Sequence, residues 1–293
     1  ESLCNSGTNS IVSAYSYIAS GLAEMILISG AERHDSPGQI LQWDNSRGEF
    51  KHPIFWASIF TKSYKREFSI SDERLAMVSV KNHKQAKENP NAISNNTYTV
   101  QDVMNSKKLT DDLKLLDCSR PCTGSASIVL ATEELTKSIS DDPVWITGIG
   151  QKTTSASFTK NKSFTSMEST KTAAQSALKM SNHTSKDIDV AEIHDAFSVC
   201  EPIALESLGF SDYGKGLDLV DELYETNNFK INPRGGLIGS GHPLGATGIS
   251  QTIEITQQLQ SDAGKRQVDN ANIGLIHNMS AAATSSTVLV LEK

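Results

Sequence analysis

The chain has 293 residues, 38% of them hydrophobic and 21% charged, with a formal net charge of −7. That length and apolar content suffice for two similar-sized lobes with a large core, and the acidic balance argues against nucleic acid as a partner. No apolar run approaches the roughly 18 residues needed to span a bilayer, and the four cysteines are too few for a disulfide scaffold of this size, which points to a reducing, cytoplasmic compartment.

The first predicted element follows "ESLCNSGTNS". Apolar residues at Ile11, Ala14, Tyr15, Ile18, Ala19 and Leu22 recur at helical spacing. Asn5, Ser6 and Thr8 are candidate caps, and Gly7 permits a tight entry. Cys4 therefore stands just before a helix N-terminus, where unpaired N–H groups and the helix dipole favour a thiolate. A lone cysteine is more often a small core residue, so other residues must support a chemical role.

"MILISG" reads as a short buried strand. Residues 33–115 read as an excursion over the surface that holds a helix, "ISDERLAMVSVKNHKQAKEN", capped by Ser71. "NPNAISNN" breaks that helix, and "TVQDVMNS" forms another short one. "CSRPC" has no second cysteine pair to complete a tetrahedral metal site, so it reads as two small residues in a turn and no metal is assigned. "SASIVLATEE" is a strand, and the polar "KSISDDP" marks a boundary, dividing the chain into 1–139 and 140–293.

Beyond the boundary the elements alternate. "VWITGIG" and "DIDVAEI" are strands; Thr165–Met180, "AFSVCEPIALESLGF" and "ATGISQTIEITQQLQ" are helices; "NIGLIHNM" and "STVLVLE" are closing strands. Such alternation predicts an α/β protein with helices covering its sheets.

Two loops stand out. "EIHDAF" puts His194 between a strand and a helix, where α/β folds place ligands. "GGLIGSGHPLGATGISQ" embeds His242 among glycines, Gly241 and Gly245 included, that let a backbone pass close to a ligand. The spacing Gly239, Gly241, Gly245 is one residue too long for the dinucleotide fingerprint, and the Walker lysine is absent.

These segments carry a resemblance. "GGLIGSGHPLGATGISQ" resembles the C-terminal signature of thiolases, and "ESLCNSG…SGLAEMILISGAE" resembles their nucleophile segment. "EIHDAF", with "VKNHKQAKENPNA" and "LLDCSRPCTGSASIVLATEEL", is similar to the histidine-bearing form found in sterol-carrier-protein-type and archaeal-type thiolases. The "GHPLGATG" loop favours a thiolase over a decarboxylating ketoacyl synthase.

The resemblance implies a thiolase fold of two similar βαβαβ-type halves in a layered αβαβα arrangement, here with an incomplete first half. Its first half normally carries strands before the nucleophile, so the chain reads as N-terminally truncated, with an exposed sheet edge at "MILISG" and reduced stability. The implied activity is an acyl-CoA acyltransferase, cleaving 3-oxoacyl-CoA by thiolysis or running the reverse Claisen condensation through a Cys4 acyl-enzyme, as in lipid metabolism. His242 is implied as the base for Cys4, His194 as an enolate-oxygen ligand, and the turn at Asn278 and Ser280 as an oxyanion and substrate contact. Coenzyme A enters as substrate and no cofactor is expected. A homo-oligomer is expected, with an accessory protein as a further partner.

One departure matters. Many thiolases carry a second cysteine in a Cys-x-Gly turn as acid/base; here that turn reads "HNMSAAAT", with Asn278 at the cysteine position. Cys200 could substitute, although a core role is the simpler reading. The alternative function is then a non-thiolytic acyl-CoA or lipid-binding relative that acts with a partner. His34, His52, His83 and His183 receive no role, and neither does His277, though it lies beside the pocket turn.

Overall fold

A one-turn 3-10 segment, Leu3–Asn5, runs directly into helix α1, Ser6–Ala19, and strand β1 follows at Met25–Glu32. This is the predicted helix-then-strand order, with Cys4 in the turn that enters the helix. The computed structural model describes residues 2–33, 52–155 and 157–293. The start of the predicted excursion, 34–51, and with it His34, lies outside the described residues.

β1 pairs antiparallel with β2, Gly124–Ala131, in the register Met25 to Ala131 through Glu32 to Gly124. Alternation along both strands turns Ile26, Ile28, Ile128 and Leu130 onto a core shared with Ile11 and Ile249. The opposite face exposes Met25, Leu27 and Val129. Among the described residues β1 has no second strand neighbour.

The second sheet has the order β3-β6-β5-β4, built from Trp145–Thr153, Ser285–Glu292, Ile273–Met279 and Val190–Glu192. β4 and β5 are parallel, while β6 runs antiparallel to both neighbours. Helix α6, Glu168–Ser181, lies on β3 at backbone contact. A Cβ at Gly150 would stand 2.7 Å from the Ala173 carbonyl carbon and 2.9 Å from the Ala177 nitrogen, so only glycine fits there.

The described part of the region read as a surface excursion, 52–115, instead contributes to the core. Helix α2, Pro53–Phe68, which the sequence did not reveal, buries Trp56, Phe60 and Tyr64. Helix α3, Asp72–Ala86, starts at Ser71, whose hydroxyl accepts from the Arg74 N–H at 3.2 Å, as predicted. Leu75 and Val78 of α3 join the same cluster as Ile193, Ile203 and Leu237 from the second half. Helix α4, Val100–Asn105, opens with a full capping box between Thr99 and Asp102. Helix α5, Glu133–Ile139, takes the end of the segment read as strand.

Four helices complete the second half: α7 Cys200–Leu208, α8 Gly216–Glu225, α9 Gly236–Ser240 and α10 Thr247–Leu259. α7 begins four residues later than the pattern predicts. Ala196 and Ser198 pair with the strand-like segment 117–119, so their backbone is committed elsewhere (Ser119 N–H to Ala196 O, 2.9 Å; Ser198 N–H to Asp117 O, 2.8 Å). Among the described residues no helix is long and apolar enough to cross a membrane.

Candidate active site

The N-termini of α1 and α10 meet through glycine. A Cβ on Gly7 would stand 2.7 Å from the Gly245 carbonyl oxygen, and one on Gly248 would stand 2.5 Å from the Thr8 nitrogen. Two helices can approach this closely only where neither carries a side chain at the crossing. The contact brings the turn before α1 onto the loop before α10. Cys4 Sγ consequently lies 3.1 Å from His242 Nε2.

His242 is buried, and its Nδ1 lies 2.8 Å from Thr247 Oγ1. When Nε2 accepts the thiol proton, Nδ1–H donates to the threonine, so a hydroxyl of α10 orients the ring and is compatible with the tautomer that a base for Cys4 requires. Burial pushes the His242 pKa well below its ordinary value, and the neighbouring His194 and Arg234 push in the same direction. His242 is thus neutral at neutral pH and able to accept a proton.

His194 follows β4 and stands edge-on to His242, with ring centroids 5.1 Å apart. Burial pushes its pKa down to about 3. The third imidazole, His277 on β5, sits behind it, with Nδ1 3.5 Å from the His194 N–H and Nε2 3.0 Å from Thr170 Oγ1. That placement makes His277 a support for the His194 loop.

Two features missed in the sequence hold the histidine loops together. The first is Asp195. Its carboxylate accepts the N–H groups of Leu237 at 2.6 Å and Ile238 at 3.3 Å, in the first turn of α9, and Asn82 Nδ2 at 2.7 Å. The residue after His194 therefore anchors the helix that leads to His242. Asn82 also donates to Glu201, which pairs with Lys81 at 2.8 Å, all four side chains being buried. Burial and the adjacent Glu201 raise the Asp195 pKa well above the usual carboxylate range. The polar "KNH" inside an otherwise amphipathic helix is the local signal of this cluster.

The second feature is "CSRPC". Cys118 pairs with Phe197, and Pro121 with His242; the His242 N–H donates to Arg120 O at 2.9 Å, and the Cys122 N–H to His242 O at 3.3 Å. The segment read as a simple turn thus bridges both loops. Gly241, with φ 102°, packs where a Cβ would meet Cys122 Sγ at 3.0 Å. Gly245 donates its N–H to Glu32 Oε2 at 3.2 Å, tying the loop to the end of β1.

A buried pair sits behind the site. Arg234 Nε lies 2.8 Å from Glu192 Oε2, and its Nη1 lies 2.8 Å from Ser250 Oγ. Burial raises the Glu192 pKa to about 7, against the pull of Arg234.

The turn after β5 departs from expectation. The Ser280 N–H is spent on Ser285 O at 2.8 Å, and its hydroxyl on Ser2 O at 2.7 Å. Ser280 clamps the nucleophile turn, and its own N–H is already engaged within the turn. Asn278 is buried and donates through Nδ2 to Gln251 Oε1 at 2.6 Å. Cys200 is fully buried in the main core cluster, and burial raises its thiol pKa further, so it is no acid/base for the pocket.

Comparison with known proteins bears on the family and the fold. Residues 150–293 match the family described as thiolase C-terminal domain-like. An acetyl-CoA acetyltransferase of Methanothermobacter thermautotrophicus is 34% identical over 302 residues, covering 100% of this chain and 79% of the relative. Sterol carrier protein 2 of Homo sapiens is 33% identical, covering 94% of this chain and 55% of the relative. Among solved structures, the Ltp2–ChsH2(DUF35) aldolase superposes with a TM-score of 0.87 at 21% identity, over 99% of this chain and 78% of that one. A monomeric SCP2-thiolase-like protein of Mycobacterium smegmatis gives 0.78 at 15% identity, over 100% of this chain and 61% of that one. The expected mixed α/β thiolase fold is the one observed, and the chain belongs to the thiolase family.

Proposed function

We propose that the chain transfers acyl groups between the Cys4 sulfur and coenzyme A, cleaving 3-oxoacyl-CoA by thiolysis or forming it in reverse. The observation that carries this reading is the 3.1 Å approach of a neutral, buried His242 Nε2 to Cys4 Sγ, with His194 beside it.

His242 takes the thiol proton as the sulfur attacks the ketone carbon of a 3-oxoacyl-CoA. The N-terminal end of α1 faces the resulting alkoxide with its positive dipole end. Collapse breaks the bond between the ketone and α-carbons and leaves the acyl group on Cys4. The departing acetyl-CoA enolate places its oxygen against His194. No cysteine occupies the turn position held by Asn278 to protonate it, and an amide there is no acid/base. The His242 imidazolium, holding the proton taken from Cys4, delivers it to the α-carbon. Free coenzyme A then gives its thiol proton to His242, attacks the thioester and restores Cys4. Two protons thus pass in turn through one imidazole: that of Cys4 leaves on acetyl-CoA, and that of coenzyme A is returned to Cys4.

Asn278 also favours a second reading, in which the chain binds acyl-CoA but acts non-thiolytically with a partner. The aldolase of the same fold is a complex with a DUF35 protein. The two readings separate when the chain is given acetoacetyl-CoA and coenzyme A and the loss of enolate absorbance is followed. Turnover abolished in Cys4→Ala supports acyl transfer; acyl-CoA binding without turnover supports the second reading.

A further inference from the structure

We propose that Cys4, His194 and His242 form a binding site for a borderline-soft divalent cation, zinc foremost, whose occupancy closes the pocket to acyl-CoA. The proposal rests on the chain's own donor atoms and stands or falls separately from acyl transfer.

One sulfur and one ring nitrogen from each histidine lie within 4.8 Å of one another. In a tetrahedral zinc site with one thiolate and two imidazoles, donor atoms are about 3.3–3.6 Å apart, from bond lengths of about 2.3 and 2.0–2.1 Å. The Cys4–His242 edge is already at 3.1 Å, so small side-chain shifts complete the triangle. The donor set also chooses the metal. A sulfur with two nitrogens suits zinc, cobalt or copper, whereas magnesium and calcium require oxygen ligands.

Further observations favour the site. His194 Nδ1 is buried and makes no hydrogen bond of good geometry, the side chain of Asn278 being the polar group that acts on the ring. Thr247 Oγ1, bonded to His242 Nδ1, orients that ring as outer partners of zinc-ligating histidines do. Cys4 is only part-buried, so an ion can reach its sulfur from solvent.

The binding step balances simply. Cys4–SH and hydrated Zn2+ give the Cys4 thiolate–zinc bond, released water and one proton to solvent, with no change of oxidation state. The sulfur lone pair that would attack a carbonyl is then held by the metal.

The test is a zinc titration of the full chain in buffer free of acyl-CoA, with X-ray absorption of the zinc-loaded protein. The expected shell has one sulfur at about 2.3 Å and two imidazole nitrogens at about 2.0–2.1 Å. Iodoacetamide labelling of Cys4, read on its peptide by mass spectrometry, should slow about tenfold or more, since a metal-held thiolate is a poor nucleophile. In His194→Gln and His242→Gln, zinc should slow labelling far less than in the parent, each variant being compared with its own zinc-free rate. A shell without sulfur, or labelling of Cys4 at an undiminished rate with zinc bound, overturns the proposal; neither readout depends on a variant folding. Acyl exchange is assayed separately with EDTA present. Its failure there, alongside the expected zinc shell, removes acyl transfer and leaves the metal site.

Discussion

Lys81→Met is the sharpest probe of what holds the two histidine loops in place. Lys81 Nζ stands 2.8 Å from Glu201 Oε1, with side chains 1% and 0% exposed. It also donates to Asn82 Oδ1 at 2.6 Å. Methionine fills nearly the same volume, so the substitution removes charge without opening a large void. The Glu201 carboxylate is then left with the Asn82 and Asn232 amides alone, at 2.7 and 3.2 Å. Breaking a buried pair on one side costs about 3–5 kcal/mol, because the remaining charge has lost its counterion. The retained amide bonds place the expected value at the lower end, about 3 kcal/mol. The double variant Lys81→Met/Glu201→Gln removes both charges and keeps an acceptor for the amides, so it should recover all but about 1 kcal/mol. Urea unfolding at pH 7, followed by circular dichroism, reads both values. A single variant within about 0.5 kcal/mol of the parent, or a double variant no better than the single, would refute the ion-pair argument.

Gly150→Ala should destabilise by about 1–3 kcal/mol or more, because its Cβ would meet the backbone of α6 at Ala173 and Ala177; an unchanged thermal midpoint would contradict that packing. The pH dependence has a definite sign at His194, whose pKa falls from 6.5 to about 3 on burial. The unfolded chain binds the proton more readily, so this contribution is full above about pH 6.5 and is lost as pH falls toward 3, by roughly 1.4 kcal/mol per pH unit. His194→Gln should therefore show a shallower loss of stability than the parent between pH 6 and 4, and parallel curves would count against a neutral buried ring.

The chemistry-bearing residues were legible because their signals are local. Glycines around His242, a strand-to-helix junction at His194 and a helix start at Cys4 each constrain a few neighbouring positions. Ser71 likewise announced α3 through its own side chain. What escaped notice depends on contacts far apart in sequence. α2 mixes Lys62, Lys65 and Arg66 with Trp56, Phe60 and Tyr64, and only the tertiary core shows which face is buried. Asp195 looks like an ordinary acidic neighbour until α9 is seen to present its N–H groups to it. Ser280 matched the position of a substrate contact, yet its N–H is satisfied by Ser285 across the turn. "CSRPC" bridges both histidine loops through backbone atoms, which leave no trace in side-chain pattern.

The most direct measurement is the intact mass of the chain after brief mixing with acetoacetyl-CoA, quenched in acid and mapped by peptide. The account predicts an added acetyl group on the peptide bearing Cys4, discharged by free coenzyme A and absent from Cys4→Ser. An unmodified Cys4 in a sample that consumes acetoacetyl-CoA, or acetyl carried by another residue, would contradict it.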